Sequence, residues 1–122
     1  MDLSMTKIYK FQDDISTDAL KELEKHSSLA IDTEGSGLQI PHRDKLSLVQ
    51  FSTGNNDAYI IQPNRKTYNA PKIVKILENK KITKIGHYLR YDVSGLEYFL
   101  KCEVKNIWDT KVCSKLVRTY TQ

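Results

Sequence analysis

A change of rhythm near the middle of the chain limits its folds more than any other feature. Three β-type runs come first, at residues 28–33, 45–52 and 57–62, with no helical pattern between them. Ser28–Thr33 reads SLAIDT, continuous enough in apolar residues for a buried central strand. Lys45–Ser52 alternates, with Leu46, Leu48 and Gln50 on one side and Ser47, Val49 and Phe51 on the other. Gly54-Asn55 signals a hairpin into Asp57–Gln62. From Pro71 onward helix and strand patterns alternate. Pro71 suits a first helical turn, with Ile73, Ile76 and Leu77 at helical spacing behind it. A strand at Lys81–Gly86, a helix at Asp92–Leu100 and a strand at Val104–Trp108 follow. Asp109 then stands where it would cap a last helix, Thr110–Val117. Ahead of all this lie a short strand, Thr6–Phe11, and a helix capped by Ser16 or Thr17 that runs to about His26.

Strands joined through helices enter a sheet parallel, by right-handed crossovers. The expected architecture is therefore α/β: a mixed five-stranded sheet, three antiparallel strands and then parallel strands, flanked by helices. With 122 residues the chain fits a single domain, 1–122.

Composition enters through what it excludes. No apolar run reaches the ~18 residues of a membrane span. The start, MDLSMTKIYK, lacks the apolar stretch of a secretory signal. A cytoplasmic protein with no membrane partner is expected. Cys102 and Cys113 have no metal-knuckle spacing and read as free thiols. The net charge of +4 suits a polyanionic partner such as nucleic acid. Lys72, Lys75, Lys80, Lys81 and Lys84, with Lys111, Lys115 and Arg118 further on, offer either a phosphate path or a solvated face.

Two constellations can carry chemistry. Asp32 and Glu34 stand two apart at the end of a strand, so both point to one face. Like charges that close repel, and a divalent cation relieves them; an all-oxygen set favours Mg²⁺ or Mn²⁺. The plain alternative is two solvated carboxylates opening a turn. The second constellation is His87-Tyr88-Leu89-Arg90-Tyr91-Asp92, between a strand and a helix. Asp92 there is either a third carboxylate at the same sheet edge or a residue steadying the helix start. His87, Tyr88 and Tyr91 are either site residues or packing residues.

The stretches LAIDTEGSGLQIPHRDKLSLVQFS, KITKIGHYLRYDVSGL and NIWDTKVCSKLVRTYT resemble, in order and spacing, segments of ribonuclease D-like 3′–5′ exonucleases of the DEDD superfamily. The resemblance runs from about Leu29 to Thr121. It implies an RNase H-like fold and two-metal hydrolysis of phosphodiester bonds at the 3′ end of RNA or single-stranded DNA, with the ions roughly 3.5–4 Å apart. By that resemblance Asp32 bridges both ions, Glu34 binds the nucleophile-side ion and Asp92 holds the second. Leu38 is then an apolar wedge against the terminal base, and His87 and Tyr91 line its pocket.

The family's third motif, Tyr-x-x-x-Asp or its His variant, has no counterpart: Tyr120 is followed only by Thr121 and Gln122. The resemblance thus implies a two-metal site lacking its fourth carboxylate and its general base, whose loss costs about 10²–10⁴ in rate. Three outcomes stay open: an exonuclease, an inactive remnant that binds metal or nucleic acid, and one half of a split enzyme. An apolar patch facing the absent helices would invite a homodimer or a second chain.

Overall fold

The computed structural model describes residues 7–35 and 46–110. Leu38, Cys113, Lys111, Lys115, Arg118 and nearly all of the expected last helix lie outside them. Nine elements follow in order: β1 (Lys7–Gln12), α1 (Thr17–Glu24), β2 (Ser28–Gly35), β3 (Leu46–Ser52), β4 (Asp57–Gln62), α2 (Pro71–Leu77), β5 (Thr83–Gly86), α3 (Leu89–Leu100) and β6 (Ile107–Asp109).

The strands form one mixed sheet in the order β1-β4-β3-β2-β5-β6. The expected meander is present: β2 pairs antiparallel with β3, and β3 antiparallel with β4. β5 joins parallel to β2, and β6 parallel to β5. The sheet has six strands rather than five. The extra one is the N-terminal strand, which lies parallel along β4 from Lys7↔Asp57 to Gln12↔Gln62. Its partner is some fifty residues away in sequence, so nothing local assigns it to this sheet.

Chain direction then fixes where the helices go. Only β3 runs against the other five strands. The connections β1→β2, β4→β5 and β5→β6 all join parallel strands and all step the same way across the sheet. Right-handed crossovers in one direction place α1, α2 and α3 on one face. The core agrees. Leu29 and Ile31 of β2, Val49 and Phe51 of β3, and Tyr59 and Ile61 of β4 share a face through the register. They form one buried cluster with Leu20 and Leu23 of α1, Ile73, Ile76 and Leu77 of α2, and Leu89, Leu96 and Leu100 of α3. Each such side chain contributes ~1.5–3 kcal/mol on burial. Among the described residues the flanking is therefore one-sided. Ala30, Asp32 and Glu34, with Leu48, Gln50 and Ile60 beside them, are on the other face.

Two local departures from simple alternation matter. The β2–β3 register shifts between Glu34 and Gly35, so Glu34 faces Leu48 but Gly35 faces Leu46. The extra residue turns Leu46 into the core, where alternation alone had grouped it with Leu48 and Gln50. In the β3–β4 hairpin the left-handed residue is Asn56, at φ 65°, rather than Gly54.

The α3 helix begins at Leu89, a turn earlier than the sequence pattern suggests. The cause is Asp109, which caps α3 from the end of β6. Its two carboxylate oxygens accept from the backbone N–H groups of Tyr88 (3.1 Å) and Leu89 (2.9 Å). Asp14 does the same for α2, accepting from Lys72 N (2.9 Å) and Ile73 N (3.1 Å). Asp109→Ala is expected to cost about 1–2 kcal/mol, read as a lower urea midpoint with an unchanged m-value.

Lys84 departs most from its expected place. It is fully buried at 0% exposure, not part of a solvated or phosphate-facing lysine run. Its Nζ donates to the carbonyls of Asn79 (2.6 Å) and Lys105 (3.0 Å). This ties the turn before β5 to the approach to β6.

Candidate active site

The parallel strands β2, β5 and β6 end at the same edge of the sheet, and each sequence constellation sits where one of them ends. Asp32 and Glu34 close β2, the segment His87–Asp92 leaves β5, and Asp109 closes β6. In open α/β sheets that edge is where ligands bind. Gly86 makes the approach close enough. A Cβ there would lie 3.1 Å from the Ile31 carbonyl oxygen and closer still to the Leu89 side chain. Any larger residue would push the start of α3 off the end of β2.

Strand alternation sends Thr33 toward α3 and sends Asp32 and Glu34 to the open face. Asp92, in the first turn of α3, meets Thr33: the Thr33 hydroxyl donates to Asp92 Oδ1. Asp32 Oδ1 accepts from the Thr33 backbone N–H at 2.9 Å. One threonine thus links the two aspartates. Burial raises the Asp92 carboxyl above the ordinary carboxylate range. The Thr33 hydrogen bonds pull it back, while the nearby charges of Asp32 and Asp109 push it up further.

Asp32 and Glu34 line a cavity of 210 Å³ with Thr33, Leu48, Gln50 and Ile60. Glu34 also borders a small cleft shared with Thr33, Gly35, Tyr91, Gly95 and Phe99. The structure therefore brings Asp32 and Asp92 into electrostatic contact and sets Glu34 beside Asp32 on one face. Among the described residues it does not gather three or more carboxylate, His or Cys side chains into a metal-holding group. The donor chemistry still fits a hard divalent ion. It is all oxygen, and it leaves like charges pressing on a half-buried carboxyl that a cation would relieve.

His87 is exposed and held by Thr110. Its Nδ1 lies 3.1 Å from Thr110 Oγ1, and that hydroxyl donates to the Gly86 carbonyl at 3.1 Å. The hydroxyl has a single proton, so Nδ1–H must donate to it, which leaves Nε2 as the acceptor in neutral His87. The His87 ring stands edge-on to Tyr88 at 5.0 Å. Tyr91 lies beside Asp92 on α3 and reaches the Glu34 cleft. Leu38 is outside the described residues. Sequence reasoning missed Thr33 and the contact of Asp109 with the start of α3; the helix that Asp109 was expected to cap lies almost wholly outside the described residues. Thr33 stands inside the D-T-E run, and its alternation toward α3 was the available signal.

A model of the 3′–5′ exonuclease domain matches residues 8–122. The chain belongs to the 3′–5′ exonuclease family. Brucella melitensis NrnC is 37% identical over 94% of this chain and 54% of its own, with a TM-score of 0.85. A structure of the same protein with bound Mg²⁺ is 36% identical over 94% of this chain and 55% of its own, with a TM-score of 0.84. The EXD2 exonuclease domain, soaked in Mn and GMP, shares the fold at 20% identity and a TM-score of 0.72, over 93% of this chain and 61% of its own. No curated protein matches the chain. The chain spans about half the length of the NrnC chain it resembles. The six-stranded mixed sheet is that of an RNase H-like exonuclease.

Proposed function

We propose that this chain carries the first two carboxylate motifs of a metal-dependent 3′–5′ exonuclease of the ribonuclease D type, acting on RNA or single-stranded DNA. The observation that carries this reading is the Asp32–Thr33–Asp92 link at the common end of β2, β5 and β6. Neighbouring structures support it: NrnC has been solved with Mg²⁺ and with pGG, and the EXD2 domain with Mn and GMP.

Asp32, Glu34 and Asp92 would hold two divalent ions, Mg²⁺ or Mn²⁺. When bound, the pair would supply activation of water and stabilisation of the leaving 3′-oxygen. The chain's own residues supply the rest. Thr33 fixes the Asp92 carboxylate, and Asp109 holds the start of α3 so that Asp92 meets β2. Tyr91 and His87 would border the terminal nucleotide; the wedge role expected of Leu38 falls outside the described residues.

A second reading follows from the absence of a closed three-carboxylate group among the described residues. In it the chain binds an ion and a strand but needs a second copy or another chain over the open sheet face for fast cleavage. Digestion of a 5′-labelled single strand, RNA and DNA in parallel, with Mg²⁺ and then Mn²⁺, separates the two. The first reading expects a ladder shortening from the 3′ end. Metal-dependent binding without shortening leaves the second. Neither binding nor shortening rejects both.

A further inference from the structure

The outer face of α3 is unusual for a solvent-facing helix surface. The core takes Leu89, Leu96 and Leu100. On the far side stand Tyr91 and Tyr98, a full two turns apart, with Tyr88 at the helix start. Their exposures are 39%, 51% and 62%. Water-facing helix positions normally carry charged or short polar side chains, and two rings aligned at i and i+7, with a third at the helix start, mark a contact surface. Between Tyr91 and Tyr98 the stripe is open among the described residues, none of which comes within 4 Å of a Cβ built on Gly95.

Three further observations say what the surface fits. Arg90 joins Tyr88, Tyr91 and Ser94 around a hollow of 370 Å³, which places a guanidinium among the rings. Tyr98 is braced rather than loose: its ring stands edge-on to Phe99 at 5.0 Å, and Phe99 packs on Tyr68 at 4.8 Å. The stripe is also continuous with the carboxylate end, since Tyr91 and Gly95 share a cleft with Thr33 and Glu34. Exposed aromatic rings beside a cation, starting at the carboxylate end, suit stacked bases and a phosphate backbone. At 1.5 Å of rise per residue, Tyr91 and Tyr98 are about 10 Å apart along the helix axis. That is roughly three stacked nucleotides at about 3.4 Å each.

We propose that the tyrosine stripe of α3, with Arg90, is a track for the single strand upstream of the reacting 3′ end. This rests on the exonuclease reading. If the 3′-terminal nucleotide sits at Asp32 and Asp92, the remaining strand lies on its 5′ side and has to leave along some surface. The stripe makes the domain favour strands several nucleotides long over dinucleotides, with little regard to sequence or sugar.

The test is fluorescence anisotropy of the 122-residue chain with labelled heptamers of RNA and of DNA and with a labelled dinucleotide, in Ca²⁺ to suppress cleavage. Tyr98→Ala is expected to weaken heptamer binding about 5- to 100-fold, and to shrink the preference for heptamer over dinucleotide by the same factor. Tyr98→Phe, which keeps the ring, restores it. Arg90→Gln lowers the salt slope of heptamer binding by about one. Unchanged heptamer affinity in Tyr98→Ala overturns the track. So does an equal loss for both lengths, or a wild type that holds no heptamer. Loss of self-association without loss of strand binding also overturns it, and makes the stripe an interface between copies. Mn²⁺ binding by the same wild-type sample reports on the carboxylate site separately, so failure of the track and failure of the exonuclease reading are told apart.

Discussion

Asp92→Asn is expected to weaken Mn²⁺ binding by about 10²-fold or more and to remove metal-dependent cleavage, while raising the melting temperature of the metal-free protein. The two effects have one origin. The Asp92 carboxyl is half-buried and faces the charges of Asp32 and Asp109, so its pKa lies above the ordinary range. The folded state then holds that proton more tightly than the unfolded chain. Stability falls as the pH rises from the unfolded pKa through the folded one, and the full cost stands above the folded pKa. Asn keeps an acceptor for the Thr33 hydroxyl and drops the charge. A gain of about 0.5–2 kcal/mol is the usual size when a strained functional group is relieved. The same linkage sets the metal's pH dependence: proton and ion compete, so affinity falls as the pH drops through the raised Asp92 pKa. Thermal melts with and without Mn²⁺, on wild type and variant, check both halves. A variant that melts lower without metal would contradict the electrostatic account of this site.

The second large effect concerns stability alone. Lys84 is buried, with two carbonyls as its partners among the described residues, and burial lowers its pKa from 10.5 to about 8. The charged form is disfavoured on folding. That penalty is full below about pH 8 and disappears as the pH rises through 10.5. From 10.5 to about 8, at about 1.4 kcal/mol per pH unit, the wild type should gain up to ~3 kcal/mol relative to a Lys84→Met variant across that window. Comparing the two proteins cancels the other lysines and the tyrosines, which titrate in the same range. At pH 7 the variant removes the charge penalty but takes one donor from each of the Asn79 and Lys105 carbonyls, of which Asn79 keeps the Ile82 N–H, a loss of about 1–3 kcal/mol. The diagnostic is therefore the slope with pH. Urea midpoints at pH 7, 8.5 and 10 that move in parallel would contradict a buried titrating lysine.

Much of this molecule can be read from local pattern, and the misses share a physical cause. Asp32 and Glu34 follow from strand period and position, because the last residues of a buried strand emerge at the sheet edge. The meander and the parallel β5 and β6 follow from turn chemistry and crossover handedness. Lys84 could not be placed that way. In KITKIG the two isoleucines, Ile82 and Ile85, fall on opposite parities, so alternation leaves the inward face undecided; the buried parity is that of Ile82 and Lys84, while Ile85 is only half-buried. The partners of Lys84, the carbonyls of residues 79 and 105, come from separate turns. The contact of Asp109 with α3 was missed for a related reason. Asp109 stands directly before a helical pattern, where a local cap is the ordinary expectation, yet its oxygens reach Tyr88 and Leu89, some twenty residues back. Leu46 was assigned to the wrong side because a one-residue shift opposite Glu34 breaks the period of two. Each miss is a non-local hydrogen bond or a register event, which periodicity does not encode.

The β1 strand shows the same limit at the scale of topology. Its sequence, KIYKFQ, reads as a strand, but its pairing with β4 closes the far edge of the sheet across the whole meander. That placement also makes the direction of travel uniform, which puts α1, α2 and α3 on one face and leaves Asp32 and Glu34 on the other.

The central claim is that Asp32 and Asp92, linked through Thr33, form a divalent-cation site at the common end of β2, β5 and β6. The direct measurement is an electron paramagnetic resonance titration of Mn²⁺ into the wild-type chain and into folded Asp32→Ala. The account predicts saturable binding by the wild type that the variant loses, with Mg²⁺ displacing Mn²⁺ from the same site. Equal Mn²⁺ binding by both proteins, or none by a folded wild type, would contradict it.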